Sequence, residues 1–335
     1  MAKKKDGKVD GDTPLDLVLD SIHKKFGEGS IFRVNSESIH GAEVLSSGFI
    51  SVDEVLGGGA GKGRIVEIFG DPSTGKSSMC LHFIAQAQAE DPEAQCAFVD
   101  VENALDLKYA KDLEVDTDRL LISQPDSAEQ ALEIVDMLVR SGSMKVIVLD
   151  SVAALVPAAE LEGQVGDQTI GLQARLMSQA LRKITGVLNK SGTVLIFTNQ
   201  MRAVINQFGH GPKSIPGGGN SLKFYASQRI ELKRIGSEKQ GEEVIGNKIL
   251  IKVAKNKIAP PFKTTEVVIT FGRGINREQE IIDLGIKHGL IKRAAAWLNW
   301  EEEKWCGMNK AIEALYFNKE MFNKLKSQVL EKMGE

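Results

Sequence analysis

The 335-residue chain is 42% hydrophobic, 26% charged, and carries a formal net charge of -3. Its length allows two or three domains and a sizeable core, and it has no apolar run near the roughly 18 residues of a membrane span. Cys80, Cys96 and Cys306 are odd in number and scattered, which argues for a reducing cytoplasm and against a disulfide framework or a structural zinc.

The first 12 residues are polar and rich in Gly and Asp, and read as disordered. The basic start lacks the apolar stretch of a secretory signal. Pro14 opens a predicted helix with Leu15, Val18, Leu19 and Ile22 on one face, ended by Gly27-Glu28-Gly29. Ile31 to Val34 reads as a short strand. Helix and strand cannot bury their own apolar faces, so they must pack elsewhere, a neighbouring subunit being one candidate. Residues 35–43 read as a linker.

Next comes Gly70-Asp71-Pro72-Ser73-Thr74-Gly75-Lys76-Ser77, a full match to G-x-x-x-x-G-K-[ST]. An apolar strand, Ile65 to Phe69, precedes it, and a helix-forming run, Met79 to Ala89, follows. Gly70 and Gly75 let the loop turn its N–H groups toward phosphate oxygens, and the helix N-terminus adds positive dipole. Lys76 is expected to reach the β/γ-phosphates, and the Ser77 hydroxyl to ligate Mg²⁺.

Beyond the loop, apolar strands alternate with helices. Predicted strands are Cys96–Asp100, Leu120–Ser123, Val146–Asp150 and Thr193–Thr198; predicted helices are Ser127–Arg140 and Ile170–Asn189. This pattern predicts an α/β fold with a mainly parallel sheet covered on both faces. Strands near Gln228–Leu232, Lys248–Val253 and Thr265–Thr270 read as an antiparallel extension, with Gly236 to Gly246 as a turn-rich link. Gly272-Arg273-Gly274 marks a boundary, after which Asn276 to Glu335 reads as a small α-rich module with Trp297, Trp300 and Trp305 as its core.

Three further positions carry chemistry. Asp150 ends an apolar strand, where such an acid holds Mg²⁺ directly or through water; a helix cap is the alternative. Glu102, just past the strand ending at Asp100, is expected to activate the attacking water, with Asp100 as competitor. Asn199-Gln200 ends another strand and is placed to sense the γ-phosphate. The Gly-rich segment Met201 to Asn220 and the stretch 162–167 read as mobile functional loops. From Arg202 to Lys257 cations outnumber acids, which fits either a phosphate-facing surface or solvated strand edges. The dispersed histidines read as packing or surface residues.

These residues resemble the bacterial RecA recombinase family. The likeness runs from Phe26-Gly27-Glu28-Gly29-Ser30 to Trp297. It includes Gly63 to Ile68, Ala104-Leu105-Asp106, Asp150 to Leu155, Asn220 to Ser227 and Lys255 to Ala259. The resemblance implies a P-loop NTPase core of RecA type over 40–275, an N-terminal helix-strand docking element over 1–39 and a C-terminal domain over 276–335. It implies that Gly70 to Ser78 bind ATP, that Glu102 activates water, that Asp150 serves Mg²⁺ and that Gln200 senses the γ-phosphate. It further implies that Asp106 and Tyr109 contact adenine, and that Lys255 and Lys257 reach the ATP of the adjacent subunit; two cations two apart on a strand share one face.

By the same resemblance the loops at 162–168 and 201–217, with Met201 and Arg202, line a helical filament and bind single-stranded DNA. Arg175, Ser178, Arg182, Gly218, Gly219 and Asn220 match primary-site positions. Lys233, Arg234 and Lys252 match a second site for homologous duplex DNA, where Leu250 replaces an expected arginine. The implied function is a cytoplasmic, DNA-dependent ATPase that pairs homologous strands and exchanges them in recombinational repair. A LexA-type repressor and mediator proteins are family-expected partners, and no membrane is involved. Departures are Ser77 for threonine, Val101 and Asn103 beside the acid, an altered 201–216 loop, and the lack of an acidic tail, which is expected to ease duplex entry.

Overall fold

The computed structural model describes residues 13–27, 30–31, 42–164, 171–203, 214–217 and 219–334, with backbone alone for 202–203 and 214–216. The chain divides into two compact units, Met1–Gly41 and Ala42–Glu335.

In the first unit, α1 (Pro14–Phe26) begins as its sequence dictates. Thr13 Oγ1 accepts from Asp16 N at 3.3 Å, and Asp16 Oδ2 accepts from Thr13 N at 3.0 Å, a reciprocal cap with Pro14 in the first turn. None of the α1 side chains is buried, Leu15, Leu17 and Val18 included. Of the predicted strand at 31–34 only Ile31 lies within the described residues, and the linker lies outside them up to residue 41.

The second unit runs β1 (Val44–Leu45), α2 (Ile50–Leu56), β2 (Ala60–Gly61), β3 (Ile65–Gly70), α3 (Lys76–Glu90), β4 (Gln95–Asp100), α4 (Leu107–Asp112), β5 (Leu120–Ser123), α5 (Ala128–Ser141) and β6 (Met144–Asp150). Then follow α6 (Ala158–Glu162), α7 (Leu172–Ser191), β7 (Val194–Ala203), β8 (Ser214–Pro216), α8 (Ser221–Tyr225), β9 (Gln228–Gln240), β10 (Glu243–Asn256), β11 (Thr264–Thr270) and β12 (Gly274–Ile275). The chain closes with α9 (Arg277–Lys287), β13 (Lys292–Ala294), β14 (Trp297–Trp300), β15 (Glu303–Cys306), α10 (Met308–Phe317) and α11 (Lys319–Gly334).

The main sheet has the order β12-β11-β10-β9-β3-β7-β6-β4-β5. From β9 to β5 every neighbouring pair is parallel; β10, β11 and β12 extend it antiparallel. Every residue of β3 is buried, as a strand covered on both faces requires. On one face Val66, Ile68, Phe98, Val148 and Ile196 pack under α2 and α3. On the other, Ile65, Val99, Leu149, Leu195 and Phe197 pack under α5 and α7. This is the α/β architecture expected.

Two expectations are corrected. The link from Gly236 to Gly246 is not a loop: β9 and β10 run through it to a tight turn at Gly241-Glu242. Gly246 is there for close approach, since a Cβ would stand 2.4 Å from Ile269 O. The second concerns the C-terminal module, which is α-rich as expected but whose three tryptophans do not all share its core. It contains an antiparallel sheet, β13-β14-β15. Its core holds Trp300 and Trp305, stacked with ring centroids 6.1 Å apart, while Trp297 stands half exposed.

His82 on α3 is a packing residue. It is 4% exposed, lies edge-on to Phe49 and accepts from Ile275 N at 3.1 Å. Burial, then nearby Arg277, pushes its pKa down to about 3. A folded-state pKa below the unfolded value gives stability that is present above pH ~6.5 and lost as pH falls toward about 3. Denaturant unfolding between pH 7 and 5 should therefore show a loss for the parent chain that His82→Gln removes, with a limiting difference of about 1.4 kcal/mol per pH unit.

Candidate functional site

The site gathers at the carboxyl ends of β3, β7, β6 and β4, which are adjacent in that order. The loop leaves β3 at Gly70, where a Cβ would stand 2.2 Å from Leu232 O. It enters α3 through Gly75, at φ +86°, where a Cβ would meet Ile269 Cδ1 at 2.2 Å. Neither position accepts a side chain, and the left-handed angle at Gly75 excludes one independently.

Lys76 is 8% exposed, and its ammonium donates to Gly70 O at 3.2 Å and Asp71 O at 2.8 Å. Burial lowers its pKa, and the charges of Asp150, Glu102 and Asp71 act against that. Ser77 Oγ donates to Asp150 Oδ2 at 2.6 Å, and Thr198 Oγ1 donates to Asp150 Oδ1 at 2.5 Å. Burial raises the Asp150 pKa, and the two hydroxyls offset part of this. Asp150 thus faces the loop and caps no helix. The Ser77 hydroxyl and Asp150 carboxylate form a pair of hard oxygen donors, which suits Mg²⁺ shared with substrate phosphates.

Glu102 and Gln200 come together although 98 residues separate them. Gln200 Nε2 donates to Glu102 Oε1 at 2.7 Å, and Ser151 Oγ donates to the same oxygen at 2.5 Å. Asp100 instead accepts from Ala104 N at 3.2 Å and Leu105 N at 3.0 Å. It holds the loop that carries Glu102, so its carboxylate is engaged while Glu102 stays exposed. Asp106 caps α4 through Lys108 N and Tyr109 N. Tyr109 Oη and Ser78 Oγ are 2.7 Å apart, tying α4 to the phosphate-loop helix. Burial raises the Tyr109 pKa, and the Ser78 hydrogen bond opposes it.

Arg175, Ser178 and Arg182 lie on α7 at helical spacing, outside the buried stripe Met177, Leu181, Ile184 and Leu188. Met201 and Arg202 lie at the end of β7, whose Met201 and Ala203 pair with Pro216 and Ser214 of β8. Asn220 is the residue before α8, and Gly219 packs against Ala174 of α7. Gly218, residues 165–170 and residues 204–213 lie outside the described residues. Lys233, Arg234 and Lys252 are exposed on β9 and β10, with Leu250 directly opposite Lys233.

Lys255 and Lys257 are not with the phosphate loop. Arg229 pairs with Glu67 on one side and Lys255 on the other, whereas Gly70 pairs with Leu232. Lys255 therefore lies about 10 Å along the strands and about 10 Å across them from Gly70, toward the opposite end of the sheet. Its Nζ donates to Lys223 O and Phe224 O, both at 2.9 Å. Burial first, then the charges of Lys257 and Arg229, lower its pKa. Lys257 falls just beyond β10 and is exposed, so the strand-face argument covers Lys255 alone.

Sequence reasoning missed Ser151, Thr198 and the buried pair Glu67 and Arg229, and it read Asn199 only with Gln200 as a γ-phosphate sensor, whereas the Asn199 amide is engaged by Glu67 and Gly217 O. One signal was available: Glu67 interrupts an otherwise apolar strand.

A glycine loop between a buried strand and a helix, a carboxylate beside its hydroxyl, and a hydrogen-bonded glutamate–glutamine pair drawn from the segment after β4 and from β7 define a P-loop nucleoside triphosphatase. The chain belongs to the RecA family. The RecA N-terminal domain matches residues 13–276, and the RecA C-terminal domain matches residues 279–334. Protein RecA of Campylobacter fetus is 50% identical over 323 residues, covering 96% of this chain and 93% of that one. Protein RecA of Mycolicibacterium smegmatis is 49% identical over 327 residues, covering 97% and 93%. Protein RecA of a Nocardioides species is 50% identical over 327 residues with the same coverage.

Proposed function

We propose that this chain is an ATP-hydrolysing recombinase, the activity of its family, which forms helical filaments on single-stranded DNA and exchanges strands with homologous duplex. The observation that carries the reading is the separation of Lys255 from its own phosphate loop. A cation toward the far end of the sheet serves a triphosphate best when a neighbouring protomer presents it, as an arginine finger does. Head-to-tail repetition of that contact without closure gives a filament.

Within the site, Gly70 to Ser78 bind the triphosphate, and Asp106 and Tyr109 receive the base. Ser77 and Asp150 would hold Mg²⁺, which would supply charge neutralisation at the phosphates. Glu102 accepts the proton of the attacking water, while Gln200 reports the γ-phosphate to the loop after β7. The hydrogen bond from Gln200 to Glu102 supports both roles. Arg175, Ser178, Arg182, Met201, Arg202, Gly218, Gly219 and Asn220 hold the single strand by its phosphates, without reading sequence. Lys233, Arg234 and Lys252 meet the duplex.

The organisation proposed is 1–39 for docking, 40–275 for catalysis and DNA, and 276–335 as the C-terminal domain. The unburied apolar side chains of α1 support docking on the next protomer. No described helix is long and apolar enough to cross a membrane, and the proposed location is the cytoplasm. The test is ATP turnover and negative-stain imaging, with and without single-stranded DNA. Filaments and DNA-stimulated turnover are expected. Closed rings with DNA-independent turnover would overturn the proposal.

A further inference from the structure

The strand β3 holds an ionisable residue where apolar packing would suffice. Glu67 is 1% exposed, and burying its carboxylate costs free energy unless the charge is paired and hydrogen-bonded. It forms an ion pair with the Arg229 Nε, and its other oxygen accepts from Asn199 Nδ2 at 3.1 Å. Arg229 is itself buried, and its guanidinium carbon lies 4.5 Å from the centre of the Phe69 ring. Asn199 Nδ2 also donates to Gly217 O at 3.0 Å. Two acceptors, a carboxylate and a carbonyl, fix this orientation of the amide.

The set therefore has two ends. One is Gly217, where the chain returns from the loop that follows β7. The other is Lys255, directly opposite Arg229 in the sheet. Arg229 and Lys255 are like charges side by side, and Glu67 is the anion that holds Arg229 back. Asn199 precedes Gln200, so the same strand end carries the γ-phosphate contact. A buried ion pair adds little stability over apolar residues of similar volume, which leaves positioning as the use that fits this placement.

We propose that Glu67, with Arg229 and Asn199, is a positioning element that couples the DNA-facing return at Gly217 to the placement of Lys255 for the neighbouring protomer. The proposal rests on the recombinase reading. Displacement of Gly217 by a bound strand alters the hold of Asn199 on Glu67. Arg229 then shifts against its like-charged neighbour, and Lys255 moves with respect to Lys223 O and Phe224 O.

The test uses the full-length chain with oligo(dT) as the single strand. The parent chain must first show DNA-stimulated turnover; its absence refutes the recombinase reading, not the coupling. In Glu67→Gln, stimulated kcat should fall about tenfold or more, a typical size for coupling between sites. ATP affinity and KM should stay within about twofold, since no contact to the phosphate loop is removed. Glu67→Asp, which keeps the charge, should recover part of the loss. Should Glu67→Gln fail to fold, Glu67→Met with Arg229→Met removes both charges together and decides the question by the same readouts. Undiminished DNA stimulation in a folded variant would overturn the proposal, as would equal losses of nucleotide binding and turnover that track the folded fraction.

Discussion

Replacing Lys76 with alanine should abolish ATP-dependent assembly on single-stranded DNA while leaving the fold intact. Lys76 is nearly buried and held over the loop by two carbonyls, so its ammonium is in place before phosphate arrives. Hydrogen bonds to charged groups contribute about 1.5–3 kcal/mol each, and two such bonds to phosphate oxygens correspond to roughly 10² to 10⁴ in affinity. Truncation also relieves the desolvation that lowers this ammonium's pKa, so the melting temperature should hold or rise. Fluorescent-nucleotide titration and imaging check this result. Normal strand exchange by Lys76→Ala would refute the proposed use of the nucleotide.

The second large effect is expected at Glu102. Glutamine preserves its shape and still offers an oxygen to Ser151 and Gln200, the two donors that orient the carboxylate. What is lost is basicity, and a positioned general base contributes about 10² to 10⁴ in rate. Turnover of Glu102→Gln should fall by that factor with nucleotide affinity changed little. Filaments formed with ATP should outlast those of the parent, because assembly needs binding and release needs hydrolysis. Phosphate release and filament lifetime, measured side by side, separate the two. Equal loss of binding and turnover would instead give Glu102 a structural role.

Much of this was legible in the sequence because it is local. The phosphate loop, the strand end at Asp150 and the amphipathic stripe of α7 are set by neighbours in the chain, whereas β7 runs past Gln200 to Ala203. The contest between Asp100 and Glu102 was not local. What bears on it are the backbone amides of Ala104 and Leu105, which only the folded loop aims at Asp100. The reach of β9 and β10 through Gly236 and Gly246 was hidden for a similar reason. A glycine that makes room for a facing strand and a glycine that makes a turn look the same in a sequence. The sheet β13-β14-β15 was masked by its short strands between charged helices. The row Glu67, Arg229 and Lys255 comes from β3 and from the two arms of the β9–β10 hairpin, and register brings them abreast.

Lys255 and the phosphate loop belong to different ends of one sheet. In the proposed assembly each subunit lends its cation forward and borrows one from behind. One tip of any row then keeps a triphosphate that nobody completes, while the other shows a lysine with nothing to serve. The two tips differ in kind, so the row has a direction. It should age from its interior and from one tip, and the spent tip should be where subunits leave.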